Sequence, residues 1–144
     1  MNIEFTVRLP VDGHSVPFVR GLCRQALEHL DVDPSVIDAI VLALTEACAN
    51  VVQHSGQHQD SDYEVHLDID DLRCRITVVD TGEGFDPTAA PTPSGGPELA
   101  GHGVMLMHAL VDTLSFQRDA EGHHRVTLEK QLTSEPLAAV APVV

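Results

Sequence analysis

Glu46 and Asn50 stand four residues apart in the stretch Val36 to Val52, whose only other polar residues are Asp38 and Thr45. On a helix that spacing puts a carboxylate and a carboxamide one above the other on a single face, which they share with Ala39, Leu42 and Ala43. Burying such groups unpaired is costly, roughly 2–7 kcal/mol for an amide alone. They need the backbone, each other, solvent at a helix end, or a bound ligand. A second candidate is the loop Asp80-Thr81-Gly82-Glu83-Gly84-Phe85, which leaves the apolar run ending in Val78 and Val79. Glycine there allows positive φ and close approach of the backbone to a ligand, although the same pattern also serves as a plain turn. A third is Gly101-His102-Gly103, just before a helix expected to begin at Val104. Amides at a helix start favour anions. Each signal is weak singly; together, in this order and separation, they are much stronger than any one.

Other chemistries lack their residues. There is no Gly-x-x-x-x-Gly-Lys phosphate loop and no serine in a nucleophile-elbow sequence. His54 and His58 are interrupted by Gly56 and have no further ligands to complete a zinc set. Asp68-Ile69-Asp70-Asp71 lacks the glycine and later glutamate of a calcium loop. His123-His124 reads as an exposed turn.

The elements that must position these residues follow from periodicity. Asn2 to Pro10 alternates apolar and polar residues and reads as a strand. Ser15 to Leu30 repeats apolar residues at helical spacing (Val19, Leu22, Cys23, Ala26, Leu30). Asp33-Pro34 is an N-cap and first-turn pair that opens a second helix running to about His54, with Gly56 as its stop. Tyr63 to Ile69 and Cys74 to Val79 form a hairpin around Asp70-Asp71-Leu72. Thr81 to Gly103 reads as a long glycine- and proline-rich loop, a length that marks function or disorder. A short helix from Gly103 to Val111 follows, then strands Thr113 to Gln117 and Arg125 to Leu132 around Glu121-Gly122. The order predicts one α+β domain over residues 1–132, a two-layer sandwich with helices on one face of a mostly antiparallel sheet. Residues 133–144 read as a loosely ordered tail.

The chain has 144 residues, 43% hydrophobic and 21% charged, enough to bury one core. Its net charge of −14, from 8 basic and 22 acidic residues, argues against nucleic acid as a direct partner. Asp60, Asp62, Glu64, Asp68, Asp70 and Asp71 lie within twelve positions; they serve solubility or a basic protein partner. Three scattered cysteines, no secretory leader and no apolar run read as membrane-spanning place the expected home in the cytosol.

Thr45-Glu46-Ala47-Cys48-Ala49-Asn50-Val51-Val52-Gln53-His54, Asp80 to Phe85 and Gly101-His102-Gly103 resemble the three nucleotide-binding boxes of the GHKL (Bergerat-fold) ATPase superfamily. Within it the chain is most similar to stand-alone bacterial anti-sigma factor serine/threonine kinases, from about Phe5 to Leu132. The resemblance implies ATP and Mg²⁺ as cofactors, with Asn50 on the metal and Glu46 as general base or orienting group. It implies that Asp80 accepts the adenine amino group, that Gly82 and Gly84 allow close approach of the base, that Gly101 and Gly103 close over the phosphates, and that Val104 also belongs to the nucleotide site. It also implies a sigma factor and a phosphorylated antagonist protein as partners, and a homodimer through the first helix and strand. Arg20, on the outer face of the first helix, is the candidate partner contact. Two departures stand out: position 102 is His where relatives are often basic, and Gly122-His123-His124-Arg125 has no hydroxyl where relatives have a Gly-Thr pair. They favour an alternative in which the chain binds ATP as a regulatory module without transferring phosphate. A third reading, the catalytic domain of a histidine kinase, is weakened because no dimerisation helices with a phospho-acceptor histidine precede Phe5, although separate chains could supply them.

Overall fold

In the computed structural model, residues 1–55, 61–80 and 97–132 are described, the side chains of 54–55 and 97–102 excepted. The elements run β1 (Ile3–Pro10), α1 (Ser15–His29), α2 (Pro34–Ser55), β2 (Asp62–Ile69), β3 (Arg73–Asp80), α3 (Pro97–Leu110), β4 (Thr113–Arg118) and β5 (His124–Gln131). The strands form one sheet in the order β1-β2-β3-β5-β4, with antiparallel pairing throughout. Alternation decides which face is covered. Tyr63, Val65, Leu67 and Ile69 of β2 and Cys74, Ile76, Val78 and Asp80 of β3 are buried, whereas Asp68, Arg73 and Arg75 on the opposite face are exposed. The helices cover the buried face, which gives the expected α+β two-layer sandwich.

α2 is the central helix. Asp33 caps it by accepting the Ser35 amide at 2.9 Å, and Pro34 fills the first position, where a missing N–H costs nothing. Ile37, Ile40, Val41, Leu44, Ala47, Cys48 and Val51 all enter the core. Leu42 does not; it is 42% exposed, so the face of Glu46 and Asn50 is less apolar than its residue types suggest. Pro34–Gln53 has a mean hydropathy of 1.7 and is long and apolar enough to cross a membrane by length and composition, which corrects the reading of no such run. Half of it is buried in this domain, because its apolar residues are the core itself.

A chain of buried hydrogen bonds ties sheet and helices together. Ser15 Oγ donates to the Asp12 carbonyl at 2.7 Å and lies 2.7 Å from the Tyr63 hydroxyl. Ser15 has one proton to give, so Tyr63 donates to Ser15, and the Cys48 thiol on α2 meets Tyr63 in turn. Burial pushes the Cys23 and Cys48 thiols up to about 12 and Cys74 up further, so all three are structural groups.

Two sequence expectations shift. α3 begins at Pro97, not at Gly103 or Val104. Proline suits a first helical position, and Glu98, Leu99 and Ala100 are good helix formers, so the helix claims the end of the expected loop. His124 is the first residue of β5, not part of an exposed turn, because the turn closes earlier around Gly122 (φ 87°). The rest of the loop, 81–96, and the tail, 133–144, lie outside the described residues, as do Gly56 and His58.

Tyr63→Phe keeps the ring's packing and removes the middle of the Cys48–Tyr63–Ser15 chain. It should cost about 1–2 kcal/mol, read as a lower urea midpoint with unchanged slope; an unchanged midpoint would show the chain contributes nothing.

Candidate functional site

The four polar residues between Val36 and Val52 of α2 are disposed of in two ways. Asp38 pairs with Arg24 at 3.1 Å across to α1, and the Thr45 hydroxyl donates to the Val41 carbonyl of its own helix at 2.7 Å. Glu46 and Asn50 have no such bond among the described residues. Asn50 is only 8% exposed and Glu46 is half-buried. A buried carboxamide without a partner is rare in folded proteins and calls for a ligand, an ion or water.

α3 supplies the other wall. A Cβ added to Gly103 would lie 2.8 Å from Glu46 Oε1 and 3.9 Å from Asn50 Oδ1. A Cβ there would crowd the Glu46 carboxylate but would only touch Asn50 at ordinary contact distance, so glycine leaves the carboxylate where it is. This revises the role read for Gly101-His102-Gly103. With the helix starting at Pro97, these residues lie inside it, where Gly101 and Gly103 amides are spent on intrahelical bonds. They do not form a free-amide anion nest at a helix start. Gly103 acts instead by absence of a side chain. Val104, the next residue, is half-buried.

Asp80 lies at the end of β3, 2% exposed, on the helix-facing side. Its rung crosses the whole sheet: Leu9, Tyr63, Asp80, His124 and Arg118 stand opposite one another in register. Directly opposed residues share a face. Tyr63, beside Asp80, meets Cys48, which lies between Glu46 and Asn50 in sequence. The fold thus brings Asp80 and the polar stretch of α2 to the same end of the sheet. Gly82 and Gly84 fall outside the described residues. Arg20 is exposed on α1, near Phe18, itself 57% exposed.

Sequence reasoning missed Arg118 and the place of His124. Counting back from Glu121-Gly122 could have found both, because a hairpin turn there opposes Arg118 to His124. The nearby group Asp119, Glu121 and His123 is a turn device. Asp119 Oδ1 accepts the amides of Glu121 and His123 at 2.9 Å, and the His123 amide bond is the main cause holding the Asp119 carboxyl below its usual range.

Residues 9–130 match the family model described as a histidine kinase-like ATPase domain. The chain belongs to that family. This ATPase-family chain is 21% identical over 125 residues to the serine-protein kinase RsbW of Bacillus cereus (strain AH820), covering 81% of the chain and 78% of the relative. The RsbW of Bacillus anthracis (strain CDC 684 / NRRL 3495) matches to the same extent. Among solved structures, the RsbU and RsbW domains of Rv1364c from Mycobacterium tuberculosis superpose with a TM-score of 0.69 at 22% identity, over 90% of this chain and 32% of that one. This ATPase-family chain thus spans about a third of that protein. The SiaB–SiaC complex from Pseudomonas aeruginosa gives 0.66 at 11% identity, over 87% and 88%. At these identities the structural likeness carries the fold.

Gly103→Ala should reveal the contact through a double-mutant cycle. Alanine gains up to about 1 kcal/mol of helix propensity over glycine, but here it must displace the Glu46 carboxylate. The substitution should stabilise the domain more in a Glu46→Ala background than in the parent, by about 0.5 kcal/mol or more in denaturant unfolding. Equal effects in both backgrounds would contradict the packing described.

Proposed function

We propose that this chain binds ATP with Mg²⁺ and transfers the γ-phosphoryl group to a serine or threonine of an antagonist protein, acting as an anti-sigma factor kinase. The observation that carries this reading is the pair Glu46 and Asn50, without a hydrogen-bond partner among the described residues and with Glu46 set against the bare backbone of Gly103. Mg²⁺ prefers oxygen ligands and keeps several waters, so one carboxamide oxygen beside phosphate oxygens fits its first shell. When bound, the metal supplies charge neutralisation at the phosphates. In this reading Asn50 Oδ1 holds the metal and Asp80 accepts the adenine amino group. Gly82, Gly84, Gly101 and Val104 line the nucleotide. Glu46 takes or orients the proton of the attacking hydroxyl as its oxygen bonds to the γ-phosphorus and the bond to ADP breaks.

The family membership and the serine-protein kinase named among the relatives support ATP use and the choice of acceptor. A neighbour solved as a two-protein complex supports a protein partner. The sigma factor is the second partner proposed, met by an acidic surface with Arg20 and Phe18 as contacts. His124 in place of a hydroxyl beside Asp80 favours the second reading, an ATP-binding interaction module that transfers nothing.

Labelled ATP, Mg²⁺ and a candidate antagonist, incubated with the parent protein and with Glu46→Ala, decide between them. Transfer should occur with the parent and fall by about 10²–10⁴-fold in the variant. Transfer at the parent rate in Glu46→Ala would sink the assigned role. ATP binding with no transfer to any antagonist would favour the silent module.

A further inference from the structure

His124 stands directly opposite Asp80 on β5, on the same face of the sheet, and Arg118 of β4 stands opposite His124. Cross-strand neighbours of this kind have Cβ atoms about 4.5–5.5 Å apart, close enough for both side chains to meet one planar group. Arg118 Nη2 lies 2.9 Å from His124 Nε2. A guanidinium can only donate, so Nε2 accepts and the neutral ring carries its proton on Nδ1. Arg118 thereby fixes both the tautomer and the direction of the imidazole. The remaining basic side chains on the sheet are mostly committed to carboxylates: Arg8 to Glu64, Arg73 and Arg75 to Glu129, and Lys130 to Asp112. Arg118 is instead spent on His124, half-buried at the end of the rung.

We propose that His124 is a specificity-determining residue for the nucleotide base, with Arg118 as its positioning residue; this rests on the ATP reading above. In the ATP reading Asp80 accepts from the adenine amino group, and the register sets His124, whose Nδ1–H is a donor, directly across from it on the neighbouring strand. That pair matches the edge of adenine, which presents an amino donor next to the ring acceptor N1. Guanine presents the reverse order, a carbonyl acceptor beside a ring N–H donor, and leaves both protein groups facing their like. An unpaired polar group in a site built for hydrogen bonding is what produces discrimination.

The test uses ATP and 1-deaza-ATP, which keeps the amino group and lacks the N1 acceptor, with binding measured by calorimetry in Mg²⁺ on the full chain. The parent should prefer ATP by about three- to tenfold, the value of one hydrogen bond. His124→Ala should bind ATP more weakly and lose that preference. His124→Gln, which can accept from Arg118 and donate to the base, should restore part of it. Arg118→Ala should reduce the preference without touching the nucleotide. A merely structural role for His124 would weaken both ligands equally. ATP binding with the same preference in His124→Ala as in the parent would overturn this proposal alone. No binding of ATP by the folded parent would overturn it together with the ATP reading.

Discussion

A helix that forms the core of a small domain while carrying a carboxylate and a carboxamide must be dry along most of its surface and reachable at one spot. α2 meets that constraint. Its apolar residues fill the space between the sheet and the other helices, Asp38 and Thr45 find protein partners, and Glu46 with Asn50 are left facing α3. The glycine at position 103 is the consequence. Any side chain there would crowd the Glu46 carboxylate, so the packing of α3 on α2 depends on position 103 staying bare.

The second requirement is that the sheet end line up with that spot. The buried chain from Asp12 through Ser15 and Tyr63 to Cys48 joins the start of α1, the start of β2 and the middle of α2. Tyr63 is also the rung neighbour of Asp80. Its position therefore sets where the acidic end of β3 lies relative to the polar stretch of α2. A hydroxyl network of this kind is directional as well as cohesive, because each proton has a single acceptor.

Much of this was legible in the sequence, for physical reasons that differ by element. The strands and first two helices declare themselves because their burial is periodic, and Asp33-Pro34 announces the start of α2 through cap chemistry. Glu46 and Asn50 are visible as polar residues at helical spacing in an apolar run. The start of α3 was not legible, because two glycines at 101 and 103 suggest a loop whereas Pro97 and the residues after it begin the helix earlier. Glycine within a helix is disfavoured locally by about 1 kcal/mol, and here a tertiary contact requires it. His124 was misplaced for a related reason: histidine pairs read as turn residues, whereas register, which depends on where the chain reverses, makes it a strand residue. The exposure of Leu42 depends on what packs nearby, which no local pattern encodes.

In the proposed function Asn50 on α2 presents its carboxamide oxygen to a metal–nucleotide complex, and every other role at the site follows from that contact. Titration calorimetry of ATP, with and without Mg²⁺, into the parent protein and Asn50→Ala tests it most directly. Saturable binding strengthened by Mg²⁺ in the parent, with that Mg²⁺ dependence lost in Asn50→Ala, is the predicted result. Asn50→Ala binding Mg²⁺-ATP as tightly as the parent would contradict it.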